Sequence, residues 1–121
     1  GGVPVARCEE NRIEGIDAVI DKDLASELLA ELIEADTLVI VTMVEKVYRN
    51  FGKPDQEALD RLSAEEARAL LEAGEFPEGS MGPKIESALL FLAAGGREVV
   101  ITDPEHLTDA INGVAGTTIT A

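Results

Sequence analysis

Thr37-Leu38-Val39-Ile40-Val41-Thr42 is an unbroken aliphatic and β-branched run with no turn former inside it, the pattern of a strand covered on both faces. It stands directly behind a stretch with helical period. Leu24, Ala25, Leu28, Leu29, Leu32 and Ile33 recur on one side, while Glu27, Glu31 and Glu34 take the other. That spacing predicts a core-packing helix, with Asp23 as the N-cap accepting from the orphan N–H groups of the first turn. A helix followed by a buried strand points to an α/β fold.

Working outward, Val44 to Pro54 mixes Val47, Tyr48 and Phe51 with Gly52 and Pro54 and reads as a short extended excursion closed by a turn. Ser63-Ala64-Glu65-Glu66 matches a capping box, and Ala67, Leu70 and Leu71 continue an amphipathic helix that Gly74 ends. Ile85, Ala88, Leu89 and Leu92 mark a third buried helical stripe, stopped by Gly95-Gly96. Arg97 to Thr102 holds Val99-Val100-Ile101 and reads as a buried strand. Asp103-Pro104 then caps a short helix with Leu107, Ala110 and Ile111, and Thr117 to Thr120 forms a last strand. Ahead of the opening helix, Val3 to Ala6 reads as a short strand and Arg7 to Gly15 as a turn-rich polar stretch. Strands alternating with crossover helices imply a mostly parallel sheet with ligands near the carboxyl ends of its strands.

The 121 residues, 45% hydrophobic, suffice for one compact domain and not for two. Ten basic against 24 acidic residues give a formal charge of −14, which repels nucleic acid and anionic membrane surfaces. A small anion remains within reach of a few lysines and amides, because distant carboxylates are screened over roughly 8–10 Å. Cys8 is the single cysteine, so no intramolecular disulfide forms and a reducing, cytoplasmic setting is the expectation. No apolar run has the length of a membrane span. The chain opens at Gly1-Gly2-Val3-Pro4-Val5 without methionine, which reads as a processed or excised piece.

Two constellations carry chemistry. Gly79-Ser80-Met81-Gly82-Pro83-Lys84 runs straight into the third helical stripe. Its glycines let backbone N–H groups approach an anion, the helix N-terminus adds free donors, and Lys84 adds a full positive charge. Pro83 suits a first helical turn. The second is Asp21-Lys22-Asp23. A lysine at a helix N-terminus opposes the helix dipole, so its presence asks for a reason beyond helix stability. Lys22 and Lys84 bracketing one phosphate, with Asp23 orienting both ammonium groups, make a phosphoryl-transfer arrangement, in which protein groups supply mainly positioning and charge.

Taken singly, these residues also have plain readings. Lys22 alone is a solvated lysine, and Asp23 alone is an N-cap. Tyr48 reads equally as pocket lining and as core packing. Cys8 has no histidine beside it in sequence, and one His with one Cys offers no zinc set.

Three motifs in order, Ile20-Asp21-Lys22-Asp23-Leu24-Ala25-Ser26, Lys46-Val47-Tyr48-Arg49-Asn50-Phe51-Gly52-Lys53-Pro54 and Gly79 to Lys84, closely resemble the carbamate kinases of the amino-acid kinase family. The resemblance runs along essentially the whole chain and implies a three-layer αβα sandwich. It implies ATP and ADP as nucleotides, Mg2+ held mainly by their phosphates, and reversible phosphoryl transfer between carbamoyl phosphate and ADP. Carried over by motif, Lys22 and Lys84 touch the transferring phosphoryl group and Asp23 organises them. Thr42, Met43, Val44 and Tyr48, with Gly79, Ser80, Met81, Gly82 and Lys84, line the nucleotide pocket, and Gly1 and Gly2 lie toward the substrate. The family usually has Thr-Asp-Val where this chain has Thr42-Met43-Val44, a change expected to alter nucleotide affinity or preference.

The chain resembles only the C-terminal, nucleotide-binding half of such an enzyme. Residues 1–121 are therefore expected to be one nucleotide-binding lobe, lacking the N-terminal lobe and inactive alone, from a protein that forms a homodimer when complete. The rivals are a non-catalytic nucleotide-binding or subunit-interaction module, and a kinase of another small carboxylate.

Overall fold

The computed structural model describes residues 2–76 and 81–121; the expectations placed on Gly1, Gly79 and Ser80 lie outside them. The run that opened the sequence reading is β3 (Thr37–Val41), which pairs in parallel with β7 (Glu98–Thr102), Leu38 facing Val99 and Ile40 facing Ile101. β7 pairs antiparallel with β8 (Thr117–Thr120), and β8 pairs in parallel with β6 (Arg61–Ser63), giving the order β3-β7-β8-β6. The sheet is mixed and mostly parallel.

Leu38, Ile40, Leu62, Val99, Ile101 and Ile119 point to one face of the sheet. There they form a single core with Ala30 of α1 (Lys22–Leu32), Ala67 and Leu70 of α2 (Ala64–Glu72), and Ile85, Ala88, Leu89 and Leu92 of α3 (Met81–Ala93). Burying the leucine, isoleucine and valine side chains among them stabilises by about 1.5–3 kcal/mol each. The opposite face carries Val39, Val100 and Thr118, which meet Ala110 of the short α4 (Leu107–Ile111). Helices therefore flank the sheet on both sides, as an αβα sandwich requires.

Several local expectations hold. Ser63 and Glu66 form a reciprocal capping box at the start of α2. The bonds run from the Glu66 N–H to the Ser63 hydroxyl at 3.1 Å and from the Ser63 N–H to the Glu66 carboxylate at 2.8 Å. Gly74 closes α2 with φ +73° and Gly95 closes α3 with φ +109°, backbone that glycine adopts without strain.

Others are corrected. Val5–Arg7 (β1) does form a strand, but the stretch after it is no mere turn: Ile13–Gly15 (β2) folds back onto it as a hairpin. The excursion after β3 is likewise a hairpin of β4 (Val47–Arg49) and β5 (Glu57–Leu59). β3 is not covered throughout: Leu38 and Ile40 are buried on one face, whereas Thr37 and Val39 on the other are half-buried and Val41 is exposed. The apolar stripe on α1 is not core-packing. Leu28 is 52% and Leu32 72% exposed, and Leu24, Leu29 and Ile33 are exposed as well, whereas Glu27 and Ala30 are buried. α1 thus turns its Asp23, Glu27 and Ala30 side inward. Finally, the short helix begins only at Leu107, with His106 at its N-cap. Asp103 accepts from the His106 N–H at 2.9 Å and therefore closes the preceding turn.

Candidate functional site

The topology decides what meets what. β3 and β7 are parallel neighbours, and each is preceded by a helix on the same face of the sheet. A helix leading back to a parallel strand runs opposite to it, so the N-termini of α1 and α3 come together at the carboxyl edge of the sheet. Lysines placed in the first turns of both helices are thereby brought side by side.

Asp21 caps α1, accepting from the N–H groups of Asp23 at 2.9 Å and Leu24 at 3.0 Å. This corrects the assignment of the cap to Asp23. The Leu24 N–H bond is the largest influence on the Asp21 carboxyl, which is held below its ordinary range, with Lys22 and Lys84 pulling the same way. Relieved of capping, Asp23 turns its Oδ2 to two ammonium groups, Lys84 Nζ at 3.2 Å and Lys22 Nζ at 3.3 Å. The three environments differ sharply: the Lys84 side chain is 4% exposed, that of Asp23 10%, and that of Lys22 72%. Lys84 is a buried, paired cation, whereas Lys22 reaches Asp23 from the solvent side.

Met81, Gly82, Pro83 and Lys84 all lie inside the first turn of α3. Pro83 therefore sits where its missing N–H costs nothing. The Ser26 hydroxyl donates to the Lys22 carbonyl at 2.7 Å, tightening the first turn of α1. An open cleft of about 190 Å³ runs from Lys22, Asp23 and Ser26 along Val39 to Val41 at the end of β3. One turn on, burial first and the charge of Glu31 second push the Glu27 carboxyl up.

The Thr42 N–H donates to the Thr102 carbonyl at 2.8 Å, joining the exits of β3 and β7. Met43 is 93% exposed, and Val44 is half-buried. Tyr48 stands on β4, its ring 5.7 Å from that of Phe51 at 49°. Gly2 is exposed. The structure joins Lys22 and Lys84 through Asp23, and Thr42 stands at the exit of β3, while Tyr48 lies in the separate β4–β5 hairpin. Sequence reasoning named Asp21 beside Lys22 without giving it the cap, and passed over Thr117. A second aspartate two residues ahead of Asp23 was the available signal for the first. Thr117 gave none, because its partners are 70 and 58 residues away.

The model of the amino acid kinase family matches residues 2–103. The chain belongs to that family. Among curated proteins, this amino acid kinase chain is 52% identical to a carbamate kinase-like protein of Escherichia coli and 50% identical to the carbamate kinase of Halobacterium salinarum, over 98% of its length and 38% of theirs. Its fold superposes on the carbamate kinase of Giardia lamblia bound to AMP-PNP with a TM-score of 0.94 and 44% identity, covering 99% of this chain and 42% of that one. The chain thus spans less than half the length of the relatives it matches. Among its described residues, no helix is long and apolar enough to cross a membrane.

Proposed function

We propose that the full-length protein is a carbamate kinase, and that residues 1–121 form its single nucleotide-binding lobe. The observation that carries this reading is the convergence of Lys22 and Lys84 on one Asp23 oxygen at the carboxyl edge of the sheet. In the reaction, the P–O bond to the carbamoyl oxygen of carbamoyl phosphate breaks as a terminal phosphate oxygen of ADP bonds to phosphorus. ATP and carbamate result, and the reverse uses the same groups. Charge on the equatorial oxygens is what a protein stabilises in such a transfer.

Lys84, desolvated and already oriented, supplies the stronger field, because a charge acts more strongly in a water-poor site. Lys22 closes over the phosphoryl group from solvent. Asp23 holds both ammonium groups in register. Thr42, Met43, Val44 and Tyr48 line the nucleotide pocket with the Gly79 to Lys84 segment, while Gly1 and Gly2 lie toward the carbamate side.

The residues present fit magnesium carried on the nucleotide's phosphates better than magnesium in a protein cage. The carboxylates of Asp21 and Asp23 are engaged by backbone N–H groups and lysines, and magnesium commonly binds through substrate phosphates and water. Bound there, the ion would neutralise phosphate charge.

The exposed leucines of α1 and the unpaired edge of β3 support a missing N-terminal lobe as the immediate partner. A homodimer and a cytoplasmic setting complete the proposal.

The test is a coupled assay of ATP formation from ADP and carbamoyl phosphate on the full-length protein, with a Lys84→Met variant. Met keeps the buried volume and removes the charge, and loss of a group that stabilises transition-state charge costs about 10²–10³-fold in kcat. Undiminished turnover in Lys84→Met removes that residue from the chemistry. Absence of any carbamoyl phosphate-dependent ATP formation in the wild-type protein rejects the carbamate kinase reading itself.

A further inference from the structure

We infer that Thr117 is a positioning residue for nucleotide binding: its buried hydroxyl fixes the base of the β4–β5 hairpin, and so the ring of Tyr48. This rests on the proposed place of Tyr48 in the nucleotide pocket.

Thr117 is fully buried at the first position of β8. Its Oγ1 accepts from the Val47 N–H at 2.8 Å and donates to the Leu59 carbonyl. Val47 and Leu59 face each other across the hairpin, so one hydroxyl from a distant strand bridges the hairpin's basal pair. A threonine hydroxyl is suited to this, being donor and acceptor at once. An isosteric valine would take this partner from a buried N–H and a part-buried carbonyl, and burying such groups without partners is costly.

The chain around Thr117 is arranged for this contact. Gly116 has φ +72°, and a Cβ there would lie 2.8 Å from the Ile101 carbonyl oxygen, so only glycine brings the chain into β8 opposite Ile101. Beside it, the Thr118 N–H donates to the Asp60 carbonyl at 3.0 Å, and Lys46 Nζ lies 2.6 Å from Asp60 Oδ1. Residues on both sides of the hairpin base are thus tied to the start of β8.

The far end of the hairpin is held differently. The Asn50 amide donates to Asp55 and the Gly52 N–H to Gln56, both at 2.8 Å. One bond, from the Asn50 N–H to the Glu75 carboxylate at 3.1 Å, reaches the segment that follows α2. Phe51, against which Tyr48 rests, is 60% exposed. Tyr48 follows directly on the clasped Val47, so its placement is inherited from the base and not from the tip.

The test uses the full-length protein and three variants, Thr117→Val, Thr117→Ser and Tyr48→Ala. With the hydroxyl gone, KM for ADP rises about tenfold, while kcat and KM for carbamoyl phosphate stay within about twofold, the signature of lost uniform binding. Thr117→Ser keeps the hydroxyl and restores KM for ADP. If Thr117→Val lowers only the melting temperature and leaves KM for ADP unchanged, Thr117 is a structural tie and the inference is wrong. Should that variant not fold, Thr117→Cys takes its place, because a thiol is a weak donor and acceptor; an unchanged KM there overturns the inference equally. Tyr48→Ala separates the two claims. A raised KM in Tyr48→Ala with none in Thr117→Val sinks the inference alone. An unchanged KM in Tyr48→Ala sinks the nucleotide reading of the hairpin, and the inference with it.

Discussion

One oxygen of Asp23 holds two ammonium groups, and the residue that makes this possible is Asp21. Two aspartates flank Lys22, and either can cap a helix from the sequence alone; preference tables do not distinguish them. The choice is made by tertiary structure, because only Asp23 has a second lysine beside it, on a helix 61 residues away. That pairing was legible as chemistry while its division of labour was not. A similar local pair, His106 and Asp103, titrates. The imidazole Nδ1 lies 2.7 Å from Asp103, and this bond is the largest influence raising the His106 pKa above 6.5. Burial pushes the Asp103 carboxyl up, but the bonds from His106 outweigh it and hold the carboxyl below 3.8. The histidine's contribution to stability is therefore fully present below pH 6.5 and lost as pH rises through its raised folded pKa. Asp103's contribution is present above pH 3.8 and lost at lower pH, as pH falls through its depressed folded pKa. A His106→Gln variant should show a flatter dependence of melting temperature on pH just above 6.5 than the wild type; parallel curves through that window would show that the pair contributes nothing.

Among the elements, legibility tracks how local the determinants are. The capping box at Ser63 and the glycine stops after α2 and α3 involve residues within a turn of one another, and all stand where the sequence places them. The inward face of α1 is the reverse of the one its apolar stripe predicts, since such a stripe ordinarily faces the chain's own core. Here the acidic side leads toward the lysines, and the leucines face away. Ser63 offers the cleanest check on element stability. Its hydroxyl serves the Glu66 N–H at 3.1 Å, and it pairs with Thr120 in the sheet through backbone alone. Ser63→Ala should destabilise the fold by about 1 kcal/mol, the usual worth of such a cap. Urea unfolding with an unchanged slope and a lower midpoint is the expected outcome. No shift in the midpoint would mean that α2 is held by Ala67 and Leu70 in the core, with the cap contributing little.

For the whole molecule, β3 and β7 pair in parallel, each preceded by a helix on the same face, and the helix–strand alternation of the sequence conveys it. The antiparallel return of β8 does not show in the pattern, because α4 resembles a crossover helix. Its five residues span only about 7.5 Å, too short to carry the chain back along β7. The chain instead turns at Gly113 and Gly116, both at positive φ, and re-enters from the edge it left. The same scale explains the bare side of the molecule. Exposed leucines on α1, the free edge of β3 and the cleft between them lie together, and a surface of that kind is costly in water unless something covers it. If the rest of the full-length protein covers it, Leu28→Lys with Leu32→Lys has different effects in two settings. In the 121-residue chain alone the melting temperature stays nearly constant, since substitutions at exposed sites usually change stability by less than about 0.5 kcal/mol, and self-association in gel filtration falls. In the full-length protein the same pair destabilises by several kcal/mol, because buried leucines are worth about 2–5 kcal/mol each on truncation and a buried lysine adds its own desolvation. Full-length protein that carries both lysines without loss of melting temperature would show that this face of α1 stays in water, and the partner of the lobe would have to dock elsewhere.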